Sequence, residues 1–258
     1  MTDGERISAK RAARNASEAA MLRAATDMLL AAPGADVLGA LKPVDVARRA
    51  DPPRTTGAFY NIWPSQAEFR RALLDHVLSL DRFQVDRRTR QALGESLHRP
   101  EQSLTDIIRT AANLNFDGLK DEPALRLQQA LWSQHAGDPE IRDRVKQLYS
   151  TISHALLPMY SALLDRSCRR MRAPYDLETL AVVLAALVEG LIVRWSVDPA
   201  AVPDDLGPPP GVPPVEGEPW GTFASVTYLI FIGMTEPIPS AGEQELSSDE
   251  SEKGVWRS

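Results

Sequence analysis

Apolar residues recur at spacings of three and four along most of the chain, and no segment shows the two-residue alternation of a strand. Leu22, Ala25 and Leu29 have this spacing near the start, and it returns between residues 104 and 163 and between residues 180 and 195. The period matches one face of an α-helix, whereas a half-buried strand would alternate at every second residue. The pattern therefore predicts an all-α fold.

Three helical segments follow one another closely between residues 43 and 74. The first covers residues 43–50 and ends before a pair of prolines, because proline lacks an N–H and disfavours helix in the residue before it. The second begins near Thr55. The third is opened by Ser65, which has capping-box spacing to Glu68. Two short helices joined by a turn predict a helix-turn-helix, whose second helix enters the major groove of DNA.

The last helical segments are too apolar to be explained by one exposed and one buried face. A proline-rich loop, residues 199–219, separates the helix near residues 180–195 from an almost wholly apolar segment at residues 220–234. A helix that is apolar all round must be buried on all sides. We expect a second copy of the chain to cover both helices in a four-helix dimer interface. The predicted interface residues are Leu184, Leu191, Trp195, Phe223, Ile230 and Phe231.

The helix-turn-helix region resembles the DNA-binding domain of the tetracycline-repressor (TetR) family of bacterial regulators. The matching strings are Val-Ala-Arg-Arg-Ala at residues 46–50, Thr-Gly-Ala-Phe-Tyr at 56–60 and Trp-Pro-Ser at 63–65, followed by Glu68 and Phe69. The chain departs from the family in a longer turn and in Gln66, where the family usually has a lysine near a DNA phosphate. The resemblance implies a homodimer that binds DNA and holds one small-molecule effector per subunit.

Candidate DNA contacts gather at the start of the second short helix. An arginine can bind guanine O6 and N7 together, threonines can bond bases or phosphates, and small residues allow close approach to DNA. These residues are Arg54, Thr55, Thr56, Gly57 and Ala58. The resemblance assigns Tyr60 mainly to phosphate, with Asn61 beside it. Phe59, Ile62 and Trp63 are expected in the core of the small domain.

Four regions are predicted along the chain. Residues 1–14 are polar and carry basic groups, which suit either a flexible arm that reaches DNA phosphate or a solvated tail. Residues 15–64 form the helix-turn-helix domain. The fourth helix of the chain starts at residue 65, is expected to run to about residue 88, and leads into the next domain. Residues 65–236 form the ligand-binding and dimerisation domain. Residues 237–258 form an acidic, serine-rich tail that is expected to be disordered.

Charge and composition support this division. The chain carries a net charge of −6, but residues 1–90 hold 15 Lys/Arg against 11 Asp/Glu, a net charge of +4. The basic excess lies on the segment with the helix-turn-helix, as a DNA footprint requires. The single cysteine and the absence of an apolar signal core fit a cytoplasmic protein. The longest apolar run ends at Trp195 at the latest, and is shorter than the roughly 20 residues of a membrane span, so no membrane partner is expected.

The chain lacks the motifs of common catalytic and metal sites. It contains no glycine-rich phosphate loop and no clustered metal ligands, so we expect no enzyme activity, no catalytic residues, no metal and no cofactor. Polar and aromatic groups do interrupt the apolar faces of the middle helices, as in many ligand cavities. The candidate effector-binding residues are Asn113, Phe116, Trp132, His135, His154 and Glu189. Glu189 suits equally an ion pair with Arg194 or with an arginine across the dimer.

The sequence therefore predicts a ligand-responsive, homodimeric transcriptional regulator, of the repressor type, which a small molecule releases from a palindromic operator. Two alternatives belong to other classes. One is an all-α enzyme with a vestigial helix-turn-helix, and the other is a dimeric interaction module that binds no DNA. The basic excess and the paired threonines of the second short helix favour the regulator.

Overall fold

A computed structural model describes residues 3–31, 38–39, 41–79, 84–99 and 101–239. The described residues are mostly helical, with almost no strand, which confirms the all-α prediction. The helices are α1 (Asp3–Ala31), α2 (Pro43–Arg49), α3 (Thr56–Ile62), α4 (Gln66–Val77), α5 (Gln84–Leu97), α6 (Leu104–Lys120), α7 (Pro123–His135), α8 (Pro139–Arg166), α9 (Leu177–Val197) and α10 (Thr222–Met234). Two strands of three residues, β1 (Arg169–Met171) and β2 (Thr235–Pro237), and a 3₁₀ turn, Pro199–Ala201, complete the described elements.

The chain divides into two compact units. The first contains residues 1–84 and 121–152, and the second contains residues 85–120 and 153–258. In the first unit, α1 packs against α2, α3, α4 and α7. This division differs from the predicted boundary between residues 64 and 65, because α4 and α7 belong to the same unit as the helix-turn-helix.

Several helix boundaries differ from the predicted ones. The first helix begins at Asp3, so the residues predicted as a flexible arm are helical from that point. This part of α1 has no apolar stripe, but its alanines and arginines are good helix formers. The fourth helix ends at Val77 and not near residue 88, and α8 continues through Pro158 without being split. The predicted tail, from residue 240 onward, lies outside the described residues.

Three helix starts are fixed by side-chain hydrogen bonds, including the predicted start at Ser65. Ser65 Oγ accepts from the Glu68 N–H at 3.2 Å, and Asp176 Oδ1 accepts from the Thr179 N–H at 2.7 Å. Asp138 Oδ1 accepts from the Glu140 N–H at 2.9 Å at the start of α8. Each side chain satisfies a donor that the first helical turn leaves without a partner.

The second unit is built around α6, α9 and α10. Its core includes Ile107 from α6, Leu180 and Leu184 from α9, and Phe231 and Met234 from α10. By length and composition, α9 could also cross a membrane, with a mean hydropathy of 2.0 in a window that is 28% buried. The expectation that this stretch is too short was therefore wrong. One such helix is a weak indication, because a core helix of a globular protein passes the same test.

A short antiparallel ladder joins the end of α10 to the segment after α8. Arg169, Arg170 and Met171 pair with Pro237, Glu236 and Thr235 respectively. Arg169 Nε donates to Thr235 Oγ1 at 2.8 Å, and Thr235 is fully buried. The sequence pattern does not predict this ladder, because a strand of three residues is too short to show an alternation of apolar and polar residues.

The proline-rich loop is held by specific contacts at its base. The Leu206 N–H donates to the Trp220 carbonyl at 2.7 Å. Asn113 on α6 donates to the Pro219 carbonyl at 2.9 Å and accepts from the Gly221 N–H at 3.2 Å. Arg109 forms an ion pair with Glu218. These contacts fix the loop against α6, so it is more than a spacer between two helices.

Candidate nucleic-acid interface

The turn between α2 and α3 is fixed by two backbone hydrogen bonds. The Ala50 N–H donates to the Val46 carbonyl at 3.1 Å, and the Arg54 N–H donates to the Ala47 carbonyl at 2.8 Å. Thr55 then caps α3, because its Oγ1 accepts from the Ala58 N–H at 3.1 Å. A short helix, a closed turn and a second capped short helix form the predicted helix-turn-helix.

An aromatic cluster holds the inner face of α3. Phe59 is fully buried, and its ring centroid lies 5.1 Å from that of Trp63 and 4.8 Å from that of Phe69 on α4. Aromatic pairs at these separations stabilise beyond the area they bury. The expectation that Phe59 and Trp63 form core is confirmed, whereas Ile62 is only half-buried.

The outer face of α3 is polar and carries few bulky groups. Gly57, Tyr60 and Asn61 are exposed there together with the cap residue Thr55, and Thr56 and Ala58 are half-buried. Tyr60 is 46% exposed, and its ring lies nearly perpendicular to that of Phe59, with centroids 5.4 Å apart. This exposure leaves Tyr60 available for a phosphate contact.

Gly57 is not needed for packing inside the protomer. A Cβ built at this position meets only Thr55 Oγ1, at an ordinary distance of 3.8 Å. Glycine inside a helix costs roughly 0.5–1 kcal/mol relative to alanine. The described fold does not explain this cost, but close approach of α3 to another molecule would.

Arg54 makes a contact that sequence reasoning missed. Its guanidinium is half-buried, and Nε donates to Ser17 Oγ on α1 at 3.1 Å. The side chain thus anchors the turn to α1 instead of pointing freely outward. Thr55 is also engaged as the cap of α3, although its O–H remains able to donate to a phosphate.

Basic groups flank the outer face of α3. Arg14 on α1 donates to the Ile62 carbonyl at 3.4 Å, which places one cation at the end of α3. Arg48 and Arg49 end α2, and the Arg48 side chain is 72% exposed. Cations around a polar helix face favour contact with a polyanion.

The six candidate effector residues are divided between the two units. Trp132 and His135 belong to the first unit, and the other four belong to the second. Asn113 fixes the proline-rich loop, and Phe116 stacks on Phe223 with centroids 6.2 Å apart. Trp132 and His154 are exposed, and Glu189 is half-buried. Asn113 and Phe116 thus have structural roles that their polar or aromatic character alone does not distinguish from ligand binding.

Three of the six predicted interface residues face the interior of their own protomer. Leu184, Phe223 and Phe231 are each less than 8% exposed and pack inside their own protomer. Leu191, Trp195 and Ile230 are half-buried, and Lys120 lies over the Trp195 ring at 5.6 Å. A helix that is apolar all round does not show in its sequence which side faces its own core.

The exposed apolar residues of α9 form a continuous line that sequence reasoning missed. We name this line the α9 stripe; it consists of Val182, Ala186, Gly190, Val193 and Val197, all exposed. Steps of three and four residues place them on one helix face. On α10, Leu229 and Gly233 are also exposed.

Comparison with known families decides the class of the protein. Residues 100–207 match the family model described as the C-terminal domain of BetI-type transcriptional repressors. This match lies wholly beyond the helix-turn-helix string, so two separate parts of the chain point to one family. The matched region is of the TetR-family type. No curated protein matches the chain as a whole.

The match indicates the functional class of the protein. It supports a DNA-binding transcriptional regulator and points to a transcription factor rather than an enzyme. Regulators of this family bind DNA and form dimers that respond to small molecules. Within the helix-turn-helix, α3 is the second helix, and in such motifs the second helix enters the major groove of DNA.

Proposed function

We propose that the protein is a cytoplasmic, homodimeric repressor that a small-molecule effector releases from a palindromic operator. The observation that carries the proposal is the division of α3 into two faces. Its inner face buries Phe59 in an aromatic cluster, and its outer face presents only polar or small groups. Such a helix is rigidly supported and free to enter a major groove.

The proposal divides the candidate DNA contacts into two groups. Thr56, Gly57, Tyr60 and Asn61 lie on the outer face of α3, where bases and phosphates are within reach. Arg54 supports this face through its hydrogen bond to Ser17, and Thr55 supports it by capping the helix. Loss of Arg54 should therefore weaken binding to all DNA sequences alike.

Dimerisation is proposed to use the exposed apolar line on α9. The α9 stripe contains Ala186 and Gly190, whose small size lets a second helix approach closely. A Cβ built on Gly190 meets no atom within 4 Å inside the protomer. Two copies related by a twofold axis would pair the stripe with itself and present two α3 helices to two operator half-sites.

Release by an effector requires two states with different operator affinity. An effector that binds the released state more tightly shifts the population by that difference in affinity. A shift from about 1:99 to 99:1 needs roughly 5.5 kcal/mol of differential binding. We propose that the effector binds within residues 65–236, as the resemblance of the helix-turn-helix region implies.

Selection of bound DNA from a random pool tests the proposal directly. The full-length protein is incubated with random double-stranded DNA, and bound molecules are amplified and sequenced over several rounds. We expect an enriched palindrome, with the half-site spacing set by the dimer. Absence of any enriched sequence, or enrichment of an asymmetric one, contradicts operator recognition by a symmetric dimer. A reporter gene carrying the selected site then distinguishes repression from activation.

A further inference from the structure

The first unit contains a cavity that the proposed DNA contact and the dimer surface do not use. Its volume is about 380 Å³, which lies in the lower part of the range for small-molecule pockets. It lies between the segment before α2, the start of α4 and the end of α7. All of its lining residues belong to the first unit.

The walls of this cavity combine apolar and polar groups in similar measure. Leu41, Phe69 and Leu73 are buried and give it an apolar floor. Gln66 and Arg70 on α4 and His135 at the end of α7 provide polar groups. A compact ligand with one apolar part and one polar group fits such a lining.

Arg70 determines the charge that the cavity favours. Its NH2 group contacts Asp138 Oδ2, and its Nε atom is buried with no hydrogen-bond partner among the described residues. A guanidinium presents donors in a planar fork, which matches a carboxylate through two parallel hydrogen bonds. The donor that Asp138 leaves unused therefore suits an anionic ligand.

Asp138 has a second role that a ligand at Arg70 would disturb. Its Oδ1 accepts from the Glu140 N–H, so the same carboxylate caps α8 and holds α4. The backbone hydrogen bonds and the Arg70 charge outweigh burial and lower the pKa of Asp138. Arg71 and Glu140 form a neighbouring ion pair at 3.5 Å between α4 and α8, but neither lines the cavity.

We propose that this cavity binds a compact organic carboxylate. The carboxylate of the ligand replaces Asp138 as the ion-pair partner of Arg70. The apolar body of the ligand lies against Leu41, Phe69 and Leu73, and its carboxylate meets the guanidinium. Binding at this place removes one of the contacts that join α4 to the start of α8. If the protein is the operator-binding repressor proposed above, the same exchange alters operator affinity.

Calorimetric titration with sodium benzoate tests binding without any DNA. Benzamide, which has the same shape without the charge, is the control ligand. Asp138→Asn removes the internal competitor, so we expect benzoate to bind about 5-fold tighter or more, since a neutral amide holds a guanidinium less strongly than a carboxylate does. Arg70→Gln should abolish benzoate binding.

Two matched variants separate this site from general effects of charge. Glu140→Gln removes a carboxylate paired with Arg71, and Arg71→Gln removes that arginine; we expect both to bind benzoate within about twofold of the wild type, because additivity holds for groups outside the site. Unchanged or weaker binding in Asp138→Asn overturns the proposal, even if Arg70→Gln does not fold. Equal binding of benzamide, or no benzoate binding by both wild type and Asp138→Asn, also overturns it.

Operator binding distinguishes failure of this site from failure of the proposed function. Benzoate should change the operator affinity of the wild type and leave that of Arg70→Gln unchanged. If calorimetry detects the expected binding but operator affinity stays constant, the site stands and its link to DNA release is wrong. If no operator can be selected at all, the calorimetric result still decides the site.

Discussion

The outer faces of α3 and α9 are both exposed, but they expose opposite chemistry. On α3 the exposed residues are Gly57, Tyr60 and Asn61, flanked by arginines of α1 and α2. On α9 they form the α9 stripe, in which Val182 is 61% exposed and Val197 is 78% exposed. The two helices therefore present surfaces suited to different partners, one to a polyanion and one to an apolar surface.

The inner faces of the same helices are alike, which makes the contrast informative. Phe59 on α3 and Leu180 on α9 are both fully buried in their own unit. Packing thus explains one side of each helix and leaves the other side for a partner. A polar face costs little in water without a partner, whereas a continuous apolar line favours association.

The largest expected effect comes from placing a charge in the α9 stripe. Val193→Glu puts one unpaired carboxylate from each copy into the proposed interface, and burying an unpaired charge costs about 3–5 kcal/mol. We expect the dimer dissociation constant to rise at least about 100-fold, since each 1.4 kcal/mol is a factor of ten. Analytical ultracentrifugation measures this change, and operator affinity should fall with it.

Val215→Glu is the matched control for this substitution. Val215 is 54% exposed, lies on the proline-rich loop and is outside the α9 stripe. Its charged variant should remain a dimer. If Val193→Glu remains a dimer, the α9 stripe is not the dimer interface.

The next largest effect tests which side of α10 is internal. Phe231 is 2% exposed, and its truncation to alanine should lower the free energy of unfolding by about 3–5 kcal/mol. Leu229, which is 47% exposed, should change unfolding much less when it is truncated. Chemical denaturation at fixed protein concentration measures both variants. Equal losses in the free energy of unfolding would mean that Leu229 is also buried under the conditions of the measurement.

A smaller effect distinguishes folding from DNA contact on α3. Gly57→Ala should stabilise the fold by up to about 1 kcal/mol, because alanine is the better helix former and the added methyl has room. The same methyl occupies space on the outer face, so we expect operator affinity to fall about tenfold, as for a lost close contact. Thermal unfolding and gel-shift titration report the two effects separately.

Gly94→Ala on α5 provides the matched control. A Cβ at Gly94 meets nothing within 4 Å, so the added methyl has room there too, but Gly94 belongs to the second unit. This variant should gain stability and keep its operator affinity. Unchanged DNA binding in Gly57→Ala would show that α3 does not approach DNA closely at this residue.

The smallest effect concerns the cap of α9 and its dependence on pH. Hydrogen bonds from the Thr179 hydroxyl and N–H lower the pKa of Asp176 from its ordinary value of 3.8. The ionised carboxylate therefore stabilises the fold above about pH 3.8, and this contribution is lost as the pH falls through the lowered pKa. Asp176→Asn should melt slightly below the wild type at pH 6, and the difference should shrink below pH 3.8. A difference that grows on acidification contradicts the assignment.

Local chemistry explains what could be predicted from the sequence. Ser65 caps its helix as expected, and Asp138 and Asp176 cap theirs in the same way, because a cap depends only on residues two or three positions away. The core role of Phe59 and Trp63 also follows from their spacing. Features set within one turn of helix are thus accessible before any fold is known.

Long-range contacts explain what could not be predicted. Asn113 was assigned to a ligand, but its partner carbonyl on Pro219 lies 106 positions away. Phe231 was assigned to the dimer, because an evenly apolar helix does not reveal its inner side. Arg54 was assigned to a DNA base, and its partner Ser17 lies on another helix. In each case the residue type was informative, and the direction of the side chain depended on tertiary packing.

The ladder between β1 and β2 has a mechanical consequence. The chain leaves α10 directly into three paired residues, and the Ile238 N–H donates to the Cys168 carbonyl at 2.8 Å just beyond them. A force applied to the residues after Pro239 meets these hydrogen bonds before it reaches α10. These hydrogen bonds therefore take the load first. A tag or a surface attachment after Pro239 can be pulled without unfolding α10 until the ladder breaks.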